Sequence, residues 1–206
     1  MAAHIDRFIQ LLGKYEGRDK LNKIIQYGSR FWMHVLQDSN PELSERFKFM
    51  FKDMAKARKL FRMVKWLIEY RKISKILQKP ASGNQVDYAL TMLVRVSFFV
   101  YWVFDNLFVL AQVKFMKADH MQFKKPAMYA WFSANIFCLI SEVRKQIKIS
   151  SQEATLRAEI KDELTDAETA QTQLDKLASQ RFESYLNILK RIGDGIVAMT
   201  GAGVSE

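Results

Sequence analysis

Between Lys56 and Lys75 the chain interleaves basic and apolar residues with the spacing of a surface-binding helix. At about 100° per residue on a helical wheel, Ala57, Leu60, Phe61, Val64, Leu67 and Ile68 share one arc. Arg58, Arg62, Lys65 and Lys72 fall opposite, beside Glu69, and Lys59 sits at one edge of the apolar arc. Trp66 and Tyr70 lie together on that flank, where amphipathic rings settle at the level of bilayer headgroups. Such a helix makes no bond. Its apolar arc enters the acyl boundary while its cations meet anionic headgroups. Each Lys or Arg near an anionic surface contributes about 1 kcal/mol. Complete burial of a large apolar side chain contributes about 1.5–3 kcal/mol. The apolar contribution is therefore the larger, and salt weakens binding without abolishing it. The same periodicity also fits a core-facing helix with a solvated basic face, and the density of one-sign charge favours the membrane.

Residues that could carry covalent chemistry do not converge. Gly193-Asp194-Gly195-Ile196-Val197-Ala198 spells a Gly-x-Gly-x-x-Ala string, but a dinucleotide site needs a preceding strand and Leu186–Arg191 has helical character. His4, His34 and His120 follow no metal-ligand spacing. Cys138, the single cysteine, sits in the apolar run Asn135–Ile140 and suits a buried position in a reducing compartment. No nucleophile elbow, Walker motif or paired-carboxylate motif occurs. No enzyme activity, cofactor or metal is expected.

Composition points the same way. Among 206 residues the formal net charge is +10, so the partner is anionic: nucleic acid or a lipid surface. Fifteen Phe, four Trp and ten Met supply more bulky apolar surface than a nucleic-acid module needs. A lipid bilayer with anionic headgroups is therefore the expected partner, and no nucleic acid. Met1–Arg18 lacks the continuous apolar core of a secretory signal, and Asp6 and Glu16 speak against a transit peptide. Val204-Ser205-Glu206 is not a Ser-Lys-Leu address.

The elements that position these residues are expected to be helices alone, with no sheet. Only three Pro and eight Gly interrupt the chain. Ile5, Phe8, Ile9, Leu12 and Tyr15, then Leu21, Ile24, Ile25, Gly28 and Trp32, predict helix from about His4 to Leu36, loosened at Gly13 and Gly17. After the stop at Asp38–Pro41, Ser44 is the expected N-cap of one long helix to Gln78. Pro80–Asn84 breaks it. Apolar segments follow over Val86–Val113 and Pro126–Val143, joined by a connector carrying Lys114, Lys117, Lys124 and Lys125 and followed by Arg144, Lys145 and Lys148. Ser150–Gln180 turns acidic and predicts a solvated helical hairpin or linker. A last helix over Arg181–Met199 and a Gly-rich tail are expected. The fold class is all-α: long amphipathic helices plus an apolar membrane-associated helical pair. Three regions result: 1–79 amphipathic, 84–149 apolar and membrane-associated, and 150–206 acidic segment, final helix and tail.

A spanning helix needs about 20 apolar residues. Val96–Val113 is nearly long enough, with Asp105 at its middle and Arg95 at its edge; a central Asp costs roughly 2.5–3.5 kcal/mol on insertion scales. Two arrangements fit: a helical hairpin through the bilayer, or interfacial helices with wide apolar faces. Arg95 and Asp105 leave an alternative function open, a pore-forming channel for small solutes.

Tyr15-Glu16-Gly17-Arg18-Asp19-Lys20-Leu21 and Gln26-Tyr27-Gly28-Ser29-Arg30 resemble the N-terminal signature of the peroxin eleven family, peroxisomal membrane proteins that elongate and proliferate the organelle. Ala57-Arg58-Lys59-Leu60-Phe61-Arg62 resembles the family's amphipathic helix, Asp105-Asn106-Leu107 its Asp-Asn-Leu element, and Trp131-Phe132-Ser133-Ala134-Asn135 its next apolar segment. The resemblance implies a protein of the peroxisomal membrane, or of the glycosomal membrane in some lineages, that remodels it before fission. It implies a homo-oligomer, a fission adaptor, a dynamin-type GTPase and the import receptor for peroxisomal membrane proteins as partners. By the same resemblance Arg58, Lys59, Arg62 and Lys65 contact headgroups, and Leu60, Phe61, Val64, Leu67 and Ile68 form the inserted wedge. The family's long terminal membrane segment has no clear counterpart, because Ile192–Val204 is short, Gly-rich and interrupted by Asp194.

Overall fold

The computed structural model describes residues 2–78, 84–162 and 166–203, and among them there is no strand. The expected break at Pro80–Asn84, apart from Asn84 itself, and the terminal Val204–Glu206 lie outside these residues. The chain forms two compact units, residues 1–63 and 64–206. The boundary falls inside the segment that periodicity reads as a single helix.

The first unit holds α1 (Ala2–Gly13), α2 (Tyr15–Val35) and α3 (Pro41–Phe61). The chain breaks at Lys14, just after Gly13. At Gly17 a β-carbon would stand 1.9 Å from the Leu11 carbonyl oxygen, so α1 and α2 approach where only glycine fits. The N-cap of α3 is Asn40 rather than the expected Ser44. Asn40 Oδ1 accepts the Leu43 amide at 3.1 Å, and Pro41 occupies the first turn. Ser44 is buried instead and donates to the Met33 carbonyl across the hairpin at 2.7 Å.

The seam between α2 and α3 is polar. Arg58 donates from Nε to Asp19 Oδ1 at 3.0 Å and from Nη1 to Gln26 Oε1 at 2.7 Å. Asp19, Gln26 and Met33 follow at intervals of seven, as do Ser44, Phe51 and Arg58. Arg30 lies over the Phe51 ring at 5.9 Å. A seven-residue repeat keeps one face of each helix toward its neighbour. Gln26, Ser29 and Ser44 are buried, whereas no apolar side chain described in this unit is, and Ile24 and Phe31 are 70% and 61% exposed.

The second unit contains α4 (Lys65–Leu77), α5 (Gln85–Gln112), α6 (Met121–Lys161) and α7 (Ala167–Ala202). Helix α5 packs against α4 and α6, and α6 against α7. Helix α5 matches the apolar segment expected from the sequence. The change of character at Ser150 marks no boundary, because α6 runs through it. The final helix starts at Ala167, capped by the Asp166 carboxylate, not at Arg181. The expected Gly-rich tail is helical as far as Ala202, and Gly203 closes it with a φ of 75°. A β-carbon at Gly201 would stand 2.8 Å from Met128 Sδ, which marks the close approach of α7 to α6.

The hairpin α6–α7 also repeats by seven. Asn135, Glu142, Ile149 and Leu156 of α6 follow at intervals of seven, as do Ala170, Leu177, Ser184 and Arg191 of α7. Ser184 donates to Glu142 at 2.7 Å, Arg191 reaches Asn135 at 3.4 Å, and Gln146 donates to the Arg181 carbonyl at 3.1 Å. Ala134, Asn135, Ala170, Ser184 and Ala198 are fully buried, while Phe182, Leu186, Leu189, Ile192 and Ile196 face outward. Small and hydrogen-bonded residues inside, with large apolar ones outside, is the packing of helices in lipid. In water the same sidedness is costly.

Candidate membrane-binding surface

The segment Lys56–Lys75 is not one helix. Helix α3 ends with the Arg62 and Met63 amides turned back onto the carbonyls of Lys59 and Leu60, at 3.1 and 3.0 Å. Val64 takes a left-handed conformation, φ 64° and ψ 7°, which a β-branched residue rarely adopts. Its amide leaves the helical ladder and donates to Asn106 Oδ1 of α5 at 2.8 Å. A tertiary hydrogen bond to a residue far along the chain sets the break, so no local signal announces it.

In the first unit, Arg58 is 15% exposed at its side chain and is committed to Asp19 and Gln26. It belongs to the hairpin seam rather than to an outer basic face. Lys59, Phe61 and Arg62 are half-buried, and Arg62 Nε reaches the Arg58 carbonyl at 3.3 Å. Leu60 is exposed.

In the second unit, α4 turns its polar side inward. Glu69, which the wheel places among outward cations, is 7% exposed and pairs with Lys72 at 2.7 Å and Arg95 at 3.4 Å. Lys65 Nζ stands 5.0 Å from the centre of the Trp102 ring. Trp66 meets Phe99 edge to face, with centroids 6.3 Å apart. Arg95, Phe99, Trp102 and Asn106 recur at helical spacing, so one stripe of α5 receives α4. Val64, Leu67, Ile68 and Tyr70 are left exposed. Of the side chains expected to form a wedge, Leu60, Val64, Leu67 and Ile68 are thus exposed and Phe61 is half-buried, while much of the expected headgroup-binding charge is spent on internal contacts. Wheel geometry could not show this, because it locates an apolar arc without saying which side a neighbour covers.

Helix α5 is the one helix among the described residues that is long and apolar enough to cross a membrane. Asp105 is buried on it. Asn106 beside it anchors Val64, and Trp131 of α6 stacks on Tyr101 at 5.6 Å. Among the described residues no three His, Cys, Asp or Glu side chains gather to hold a metal. Cys138 is buried, as its apolar surroundings predict.

Comparison with known proteins fits these features. The family model for peroxisomal biogenesis factor 11 matches residues 5–206. A peroxisomal membrane protein 11 homolog of Dictyostelium discoideum is 23% identical over 95% of this chain and 83% of its own length. Peroxisomal membrane proteins 11-1 and 11-5 of Oryza sativa subsp. japonica are 24% and 27% identical, covering 96% and 93% of this chain and 79% and 81% of their own. No solved structure matches. With the family model spanning nearly the whole chain, this chain belongs to the peroxisomal biogenesis factor 11 family of peroxisomal membrane proteins.

Proposed function

We propose that the chain elongates the peroxisomal membrane ahead of fission by seating outward apolar side chains in one leaflet. Leu67, Ile68 and Tyr70 of α4 are the foremost of these, with Leu60 at the end of α3. The observation that carries this reading is the sidedness of α4: Glu69 is buried while Leu67, Ile68 and Tyr70 are exposed. Side chains inserted in one leaflet expand its area relative to the other, and unequal leaflets bend. The basic residues left at the surface hold the helix against anionic headgroups. In this reading the set Arg58, Lys59, Leu60, Phe61, Arg62, Val64, Lys65, Trp66, Leu67 and Ile68 serves the membrane in three ways: exposed Leu60, Val64, Leu67 and Ile68 insert, half-buried Lys59, Phe61 and Arg62 lie at the edge of the lipid contact, and Arg58, Lys65 and Trp66 hold the helices that present them. Self-association and recruitment of a fission adaptor and a dynamin-type GTPase belong to the same proposal, as does delivery by the import receptor.

The pore alternative has less support. Arg95 is ion-paired with Glu69, and Asn135, Glu142 and Arg191 close on one another's helices.

The test uses the full chain and anionic liposomes, with vesicle shape read by electron microscopy. Wild type is expected to draw tubules and a Leu67→Glu/Ile68→Glu variant to leave vesicles round. Equal tubulation by both would remove α4 as the wedge.

A further inference from the structure

Where α5 begins and the apolar part of α6 ends, the two helices border a groove of about 560 Å³. Its α6 wall presents Ser141, Arg144, Lys145 and Lys148, spaced i, i+3, i+4 and i+7 on one face. Its α5 wall presents Asp87 and Thr91. Arg144 Nε donates to Asp87 Oδ1 at 2.7 Å, which joins the walls and offsets one cation. Among the described residues Lys145 and Lys148 have no ion-pair partner, so the groove keeps an excess of two positive charges; of its three hydroxyls, Thr91 and Ser141 donate to carbonyls of their own helices and Ser151 stands beside them.

Its position narrows the ligand. The 28 residues of α5 extend about 42 Å at 1.5 Å per residue, against a hydrocarbon core about 30 Å thick. A crossing α5 therefore carries its first turns, including Asp87, in the headgroup layer. A phosphomonoester carries about −1.5 to −2 charge at pH 7 and three acceptor oxygens, which matches two ammonium groups. A phosphodiester, with one charge, leaves a cation uncompensated.

We infer that this groove is a binding site for phosphomonoester anions, of a lipid headgroup or of a soluble organic phosphate. The inference rests on α5 crossing the bilayer, but not on α4 acting as a wedge.

The experiment titrates the full chain in detergent micelles with phosphatidic acid, phosphatidylglycerol and glycerol 3-phosphate. Phosphatidic acid is expected to bind more tightly than the diester. Lys145→Gln/Lys148→Gln is expected to weaken that binding about tenfold or more, from two lost cation contacts. Lys124→Gln/Lys125→Gln removes equal charge elsewhere and is expected to change it little. Displacement of phosphatidic acid by glycerol 3-phosphate would extend the site to soluble phosphates; retained discrimination without displacement would assign it to lipid. Equal loss in the two double variants, or equal binding of monoester and diester, overturns the inference. Leu67→Glu/Ile68→Glu is expected to keep the preference, so failure of the wedge and failure of this site are separable.

Discussion

Arg58 and Asp19, thirty-nine residues apart in sequence, meet at 3.0 Å inside the α2–α3 hairpin. The same guanidinium holds Gln26. The three motifs that suggest the family in the N-terminal half are therefore one another's partners. The family resemblance puts Arg58 at lipid headgroups, whereas its side chain is engaged in the hairpin seam.

This reassignment is measurable. Arg58→Gln removes the cation paired with the Asp19 carboxylate, whose side chain is only 13% exposed. A hydrogen bond to a charged group is worth about 1.5–3 kcal/mol, so the full chain in detergent should lose stability of that order in a denaturant titration. Liposome affinity should change little. A headgroup role would give the reverse: affinity lost, stability kept.

The bond from the Val64 amide to Asn106 fixes where α4 begins. Asn106→Ala should cost roughly 1 kcal/mol and accelerate hydrogen exchange at Val64 and Lys65 before the rest of α4. Unchanged protection at those amides would show that the left-handed turn at Val64 stands without Asn106.

Gly17→Ala places a methyl group on the Leu11 carbonyl oxygen, where 1.9 Å is available. The corner between α1 and α2 must open. Limited proteolysis near Lys14 should speed up markedly, with α2–α3 intact. Gly28→Ala meets nothing within 4 Å and serves as the control, expected to be neutral or slightly stabilising through helix propensity.

Glu153 titrates below its ordinary 4.5, first through its hydrogen bond with Arg157 and further through Arg181 of α7. A depressed carboxyl pKa adds stability above the unfolded value, and that stability is lost as pH falls through the folded one. The α6–α7 end should therefore loosen on acidification below about pH 4.5. Arg181→Gln should shrink the acid-dependent part of the change, followed by hydrogen exchange around Glu153. Identical pH profiles in the two proteins would exclude the pair as its source.

Much of the architecture is legible in the residues. The turn around Asp38–Pro41, the extent of α5 and the absence of strands in the described chain follow from breakers and apolar runs. The break at Arg62–Val64 was invisible because Asn106 imposes it from another helix. The acidic stretch Ser150–Gln180 reads as a hairpin or linker, and the turn between α6 and α7 lies within it, but the length of the two helices is not legible, for a different reason. Their seven-residue repeat carries Asn135, Glu142, Ser184 and Arg191 alongside Ile149 and Leu156, so a search for apolar periodicity reads it as a thin stripe. Gly201 and Gly203 suggest a tail after Met199, but the helix continues to Ala202, with Met128 of α6 close against Gly201. For the surface, the wheel found Leu67 and Ile68 correctly as one face; it could not tell that Glu69, the polar member, turns toward α5 while they face away.

The polar seam of α2 and α3 has a consequence for the newly made protein. Until it reaches a bilayer, this hairpin wears its grease on the outside, with Ile24, Phe31 and Phe49 meeting water. In water such faces favour association with other apolar surface, so the chain diluted out of detergent is expected to self-associate, which light scattering would read.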